Sequence, residues 1–329
     1  MGSLDPRTFC PTICLACILL LSKTANAQVD LRGEKQILLE ATRGTQAIKR
    51  GPGDKLYVLV RSVKPPSSLW ISDYSGTSMR KILEGGAGPT DLRFPKDFAV
   101  DRDGNAIVVD AGLIKIFSPE GKQLSSFPAG RPDSVGVLSD GRILVSGWPK
   151  DGRLIFVYDH SGHLLGNIGK PIEVEDAPSP SFGAVLNIGS LVTDDDDNIY
   201  YVFRFLLTPT VRKYTPEGKL VAEWHPQSAR LDDVIEQARK KYETNRDQGI
   251  PGGIRIFTAG AFDAETKTLW LATGPQIMQL DSSGNTIGSF ELFLPNGGPP
   301  LQANGLFVDR DFIRAATSLY GTFEFLKPH

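Results

Sequence analysis

Asp101-Arg-Asp-Gly-Asn-Ala-Ile-Val-Val-Asp110 (DRDGNAIVVD) admits two readings. Its oxygen-bearing side chains and glycine resemble half of a calcium loop. The same residues make a tight turn that sends one β-strand back along another, because both central positions of a type I′ turn need positive φ. The rest of the chain decides between them. Comparable turns recur at Gly53-Asp-Lys55, Asp140-Gly-Arg142, Asp196-Asp-Asn198 and Thr266-Lys-Thr268. Each precedes an apolar run: Leu56-Tyr-Val-Leu-Val60, Ile143-Leu-Val145, Ile199-Tyr-Tyr-Val202 and Leu269-Trp-Leu-Ala272. Runs apolar on both faces suit strands buried between stacked sheets. DRDGNAIVVD is therefore read as the first hairpin of a repeat.

A second turn closes each unit. Asp73-Tyr-Ser-Gly76, Ser118-Pro-Glu-Gly121, Asp159-His-Ser-Gly162, Thr215-Pro-Glu-Gly218 and Asp281-Ser-Ser-Gly284 each separate two strand-like pieces. Asp or Ser opens such a turn and glycine takes the left-handed position that ends it. The two marks together define four antiparallel strands per unit, and iterated four-stranded units are the blades of a β-propeller. Six copies can be counted. The last, from Asn304, lacks a fourth strand, and Lys35-Gln-Ile-Leu-Leu-Glu40 near the start is spare. Pairing those two removes the open edge. The fold class expected is all-β, a six-bladed propeller over 28–329 closed by its N-terminal strand. One segment breaks the rhythm: residues 228–242 place Leu231, Val234, Ile235, Ala238 and Tyr242 at helical spacing behind Ser228 as N-cap, an inserted amphipathic helix.

The unit from Pro95 to Asp110, followed by Ile114-Lys-Ile-Phe-Ser-Pro-Glu-Gly121, resembles the NHL-repeat family of six-bladed propellers. It departs from that pattern at Ala111-Gly112-Leu113, where the family carries asparagine and arginine. More distantly, the repeat is similar to gluconolactonase-type propellers, which hold calcium at the ring centre with a Glu, an Asn and an Asp. By position, Asp133 looks similar to that aspartate and Asn304 to that asparagine. Lys96 stands at a corresponding place, Asp97 is one step over, and no glutamate aligns. Since calcium takes six or more oxygens, this resemblance implies a thin metal site at Asp133 and Asn304. The run Thr193-Asp-Asp-Asp-Asp-Asn198 falls on a repeat turn and reads as solvated charge.

Residues 1–27 have the layout of a secretory signal peptide: Arg7, the apolar run Ile13-Cys-Leu-Ala-Cys-Ile-Leu-Leu-Leu21, and small residues up to Ala27. Cleavage there leaves no cysteine, since Cys10, Cys14 and Cys17 all lie within it, and a disulfide-free exported chain depends on its own core. The expected location is secreted or periplasmic, without stable membrane insertion after cleavage. A net charge of −2 and the lack of a basic stripe argue against nucleic acid. His160 and His163 sit on an outer turn, and no nucleophile elbow or phosphate loop is present. Trp148 and Arg204 are placed near the channel mouth. The function expected is a non-catalytic binding or scaffold module for a protein, peptide or glycan at one face of the ring, needing no cofactor. The rival is a calcium-dependent lactonase or hydrolase using Asp133 and Asn304.

Overall fold

The computed structural model describes residues 28–328 apart from 40–43 and 63–65, so the leader expected over 1–27 lies outside the described residues. Two short strands, β1 (Val29–Arg32) and β2 (Lys35–Ile37), precede six sheets. Blade 1 is β3 (Thr45–Gly51), β4 (Lys55–Val60), β5 (Ser68–Ser72) and β6 (Met79–Glu84). Blade 2 is β7 (Pro95–Val100), β8 (Ala106–Asp110), β9 (Leu113–Phe117) and β10 (Gln123–Pro128). Blade 3 is β11 (Pro132–Val137), β12 (Ile143–Lys150), β13 (Arg153–Tyr158) and β14 (Leu164–Ile168). A short helix, α1 (Pro180–Leu186), leads into blade 4: β15 (Gly189–Thr193), β16 (Ile199–Phe203), β17 (Val211–Tyr214) and β18 (Leu220–Trp224). Helix α2 (Ala229–Asp247) precedes blade 5: β19 (Ala259–Asp263), β20 (Thr268–Thr273), β21 (Gln276–Leu280) and β22 (Thr286–Phe293). Blade 6 is β23 (Gly305–Val308), β24 (Phe312–Thr317) and β25 (Gly321–Leu326).

Within each blade the strands pair antiparallel in chain order, and the innermost strands neighbour one another cyclically, β3–β7–β11–β15–β19–β23–β3. The fold is therefore a six-bladed β-propeller. Strand β2 pairs antiparallel with β25, Lys35 opposite Glu324, and completes blade 6. It is shorter than the expected piece, which runs on to residue 40, outside the described residues. Strand β1 has no counterpart among the expected elements. It adds a fifth, parallel strand to blade 5, with Val29 opposite Phe290.

The two turn marks have distinct jobs. In DRDGNAIVVD, Asp101 accepts from the backbone N–H groups of Asp103 (3.0 Å) and Asn105 (2.8 Å), and Gly104 carries φ +83°. That carboxylate is consumed by the turn, as the repeat reading requires, but Arg102 and Asp103 keep negative φ, so Gly104 alone is left-handed and the turn is not the type I′ expected. The four-aspartate run behaves likewise: Asp194 accepts from the N–H of Asp196 and Asn198, and Asp197 accepts from Ser139 N–H at 2.8 Å.

The x-x-x-Gly turns lock blades together. A side chain added at Gly121, Gly162, Gly218 or Gly284 would run into Ile82, Phe127, Ile168 or Trp224, each on the outermost strand of the preceding blade. Gly76 of blade 1 meets Ile37 of β2 in the same way, so the N-terminal strand acts as the outer strand of blade 6 in this contact too. At Gly284, φ is +84° and a Cβ would lie 2.1 Å from the indole Cγ of Trp224. Gly284→Ala is therefore expected to cost about 2–5 kcal/mol, from the left-handed backbone plus overpacking. Gly166→Ala in β14, with open space around the new methyl, should stay within about 0.5 kcal/mol. Urea midpoints of the two variants test this.

The inserted helix is longer than expected, ending at Asp247 rather than 242. Ser228 caps it by accepting from Leu231 N–H at 3.1 Å. Apolar spacing stops at Tyr242, but the last turn adds a buried Asn245. Helix α1 was unexpected and is too short to show periodicity. Trp224 and Trp270 are buried between blades, as their strand positions suggested.

Candidate functional site

Each innermost strand begins at the same end of the ring, so the first residues of all six converge on one mouth of the central channel. The antiparallel second strands end there, and both helices connect blades at that end. Six inner strands converging on one axis leave little space: the channel below the mouth is a cavity of about 50 Å³, lined by Lys96, Asp97, Asp133, Ser190, Arg204, Thr258 and Asn304 among others. That holds a few waters at most. Toward the opposite end the channel widens to about 200 Å³, lined by Val100, Val135, Leu191, Ala261 and Leu306 together with Lys49, Arg50 and Thr193. A ligand larger than water that arrives from the mouth side is therefore stopped above the narrow section.

At the mouth one carboxylate faces several cations. Asp133, the second residue of β11, is ion-paired to Arg204 Nη1 through Oδ2 and lies 3.3 Å from Lys96 Nζ through Oδ1. Lys96 Nζ also donates to the Pro132 carbonyl at 3.0 Å. Arg204 follows β16 directly, where the strand register brings it to the mouth; it is only 7% exposed and its Nε has no hydrogen-bond partner. Arg255 stands three residues before Thr258, and Arg61 follows β4 at the place that Arg204 occupies in blade 4. Burial opposes ionisation of Asp133, but Arg204, Lys96 and Arg255 outweigh it and hold the carboxyl below its ordinary range. Burial and the repulsion of Arg204 push the Arg255 guanidinium down to about 10, with Asp133 opposing and Arg61 adding to the repulsion. It stays charged at neutral pH. A further cation, Arg131, lies 5.1 Å from the ring centre of Trp148, and the Trp148 backbone N–H donates to the Arg131 carbonyl at 3.1 Å.

The site residues expected from sequence thus divide. Lys96, Asp133 and Arg204 form one ion-pair cluster. Trp148 is at the mouth, but at the end of β12 and half-buried under Arg131 rather than on a free loop. Asp97 serves the framework instead of the mouth. It accepts from Ser134 Oγ at 2.6 Å and Val135 N–H at 3.2 Å, stapling blade 2 to blade 3. Asn304 lies across the channel, its amide donating to Ser318 Oγ. Arg61 and Arg255 join the cluster without any motif to announce them. The signal available was positional, since Arg61 and Arg204 both follow the second strand of a blade.

This donor set does not fit calcium. Both oxygens of Asp133 face cations, no glutamate lines the channel among the described residues, and the Asn304 side chain is engaged with Ser318. A hard cation would have to displace Arg204 and Lys96 from Asp133, and Asp97, the other carboxylate in the lining, is already taken by Ser134, Val135 N–H and Phe98 N–H.

Other features crowd the same face. Phe94, just before β7, is 65% exposed, and Leu319 in the β24–β25 turn is 74% exposed. Tyr320, Ile250 and Ile254 are also exposed there. Between α2 and blade 4 lies a groove of about 530 Å³, with Leu186, Leu206 and Tyr242 among its lining residues. Phe182 meets the Tyr242 ring edge-on at 6.1 Å and braces that wall. No helix among the described residues is long and apolar enough to cross a membrane.

No family model matches the chain, and no curated protein matches it in sequence. Solved structures resemble it in shape. A catalytically inactive histidine-to-alanine variant of virginiamycin B lyase from Staphylococcus aureus, solved with quinupristin, aligns with a TM-score of 0.54 at 11% identity, covering 89% of this chain and 98% of that one. U3-55K aligns with a TM-score of 0.55 at 12% identity, covering 93% and 99%. The WD40 repeats of RRP9 align with a TM-score of 0.54 at 12% identity, covering 92% and 98%. A lyase and WD40 repeats share this architecture, so the likeness extends to the fold and stops there. The comparisons place the chain among β-propellers, and its own six sheets make it a six-bladed one.

Proposed function

We propose that this protein is an exported, secreted or periplasmic, non-catalytic binding module that takes a protein or peptide partner on the mouth face of its ring. The observation that carries this reading is the α2 groove together with exposed Phe94, Ile250, Ile254, Leu319 and Tyr320 on that face, the other exposed apolar side chains being spread singly or in pairs along the outer strands, as at Leu124, Leu164, Leu165, Leu220, Val221 and Ile287. Exposed apolar groups gathered on one side mark contact surfaces. The opposite face is built from short turns in which Asp101, Asp194 and Asp281 accept from their own backbones. Chemistry has less support. Among the described histidines, His160 and His163 belong to a turn on the opposite face and His225 lies at the groove, so none lines the channel. The calcium-dependent hydrolase reading would rest on Asp133 and Asn304, whose surroundings favour anions over cations.

Panning a phage-displayed peptide library against residues 28–329 tests the proposal. Enriched peptides are expected to lose about tenfold or more in affinity, about 1.4 kcal/mol, for a Phe94→Asp, Leu319→Asp double variant. Asp195→Lys on the opposite face should leave them unchanged. A library that yields no enriched peptide, or peptides indifferent to the mouth-face substitutions, would overturn the reading.

A further inference from the structure

The geometry points to an oxyanion site at the channel mouth, formed by Arg204, Arg255, Arg61 and Lys96, that takes a carboxylate or phosphate group. This rests on the reading of the mouth face as the binding face, and it names the chemistry at its centre. Three cationic side chains, Arg204, Lys96 and Arg255, act on Asp133, which pairs directly with the first two, and Arg61 adds its charge beside Arg255. The Arg255 side chain makes no ion pair or hydrogen bond with any described residue, and neither does the Arg61 side chain. Among the described residues, Arg255 and Arg61 therefore lack a carboxylate of their own. Arg204 is over nine-tenths buried and its Nε has no partner. A buried, unpaired guanidinium N–H costs free energy that an incoming oxyanion would recover.

Asp133 explains why these cations persist so close together. It fixes Arg204 and Lys96 in place and moderates the repulsion that Arg255 feels from Arg204. It cannot neutralise all of them. An entering oxyanion would meet the Arg204 guanidinium, already fixed through Nη1 by Asp133, with half-buried Arg255 and exposed Arg61 adding positive charge. Arg fits such groups because its planar fork matches two oxygens at once. The channel below, about 50 Å³, admits nothing beyond water, so only the charged head of a ligand can be held on the axis. The exposed apolar side chains around the mouth would then meet whatever carries that head.

Isothermal titration with citrate, inorganic phosphate and chloride at matched ionic strength tests the site. Citrate probes the carboxylate class and phosphate the phosphoryl class. At least one of the two is expected to bind saturably where chloride does not. A double Arg61→Gln, Arg255→Gln variant is expected to weaken that binding at least tenfold. These two side chains have no described partner, so the variant should fold, which an unchanged melting temperature in chloride would verify. If the double variant melts early, each single variant is titrated and is expected to lose at least threefold. Equal heats for citrate, phosphate and chloride would overturn the site, as would binding that survives the variant, which would mark an adventitious ion only. Either failure would leave the peptide-panning result standing, whereas failed panning beside a genuine oxyanion response would remove the partner reading alone.

Discussion

A chain starting at residue 39 instead of 28 is expected to lose most of its stability and to associate in solution. The shortened chain lacks β1 and β2. Strand β2 contributes Ile37, 3% exposed, and is followed by Leu38, fully buried. Burial of two such side chains is worth about 3–6 kcal/mol together. Several backbone hydrogen bonds go with them: the pairing of β2 with β25, Gly33 N–H to the Phe293 carbonyl at 2.9 Å, and Glu34 N–H to the Glu324 carbonyl at 2.8 Å. Domains of this kind have net stabilities of about 5–15 kcal/mol, so the loss approaches the whole margin. The damage is also topological. Without β2 the last blade presents β25 as an open edge, a template for pairing with another chain. Urea unfolding and size-exclusion chromatography of the two lengths measure both effects. Equal midpoints with a monomeric short form would show that the ring does not depend on its N-terminal closure.

The second large effect is expected at Glu324. Its carboxylate, 2% exposed, receives Arg314 Nε at 2.9 Å and Nη2 at 2.7 Å, and Lys35 of β2 reaches it at 3.2 Å. Arg314 is itself 1% exposed, with its guanidinium carbon only 4.1 Å from the ring centre of Tyr74 in blade 1. One ion pair therefore joins the closing strand, the last blade and the first. Glu324→Ala strands a desolvated guanidinium, with Asp309 at 3.7 Å as a weak substitute, and should cost about 3–5 kcal/mol. The cause can be separated from lost packing. A Glu324→Leu, Arg314→Met double variant removes both charges at similar volume and should recover most of that loss in the same urea assay. If the double variant is as unstable as the single, the buried charge is not the reason.

How far residues alone could foretell this molecule depended on the kind of signal. Turns were legible because they are local: an Asp at the first position and a residue tolerating positive φ specify a hairpin with no tertiary help. Even the substitutes obeyed, since Asp197 and Lys267 take left-handed backbone where other repeats place glycine. Strand β1 was illegible because four residues pairing in parallel with a distant strand leave no turn behind. The mouth was half-legible. Asp133, Lys96 and Arg204 could be placed by counting along the repeat. The calcium-type resemblance at Asp133 and Asn304 turns on oxygen ligands and carries no signal for Arg61 and Arg255, which lie in connections outside the repeat marks. Their convergence is a product of ring closure.

The seat of Gly76 on Ile37 and Leu38 bears on the order in which the ring assembles. Leu38 N–H donates to the Gly76 carbonyl at 3.1 Å, a contact available as soon as blade 1 has been synthesised. The same strand meets its sheet partner only when the chain is complete, because Lys35 faces Glu324. Long-range pairing is the slow step in β-rich chains, and chains emerge from the N-terminus first. The first segment made is thus held on the first blade as a mould, and the last blade is cast against it.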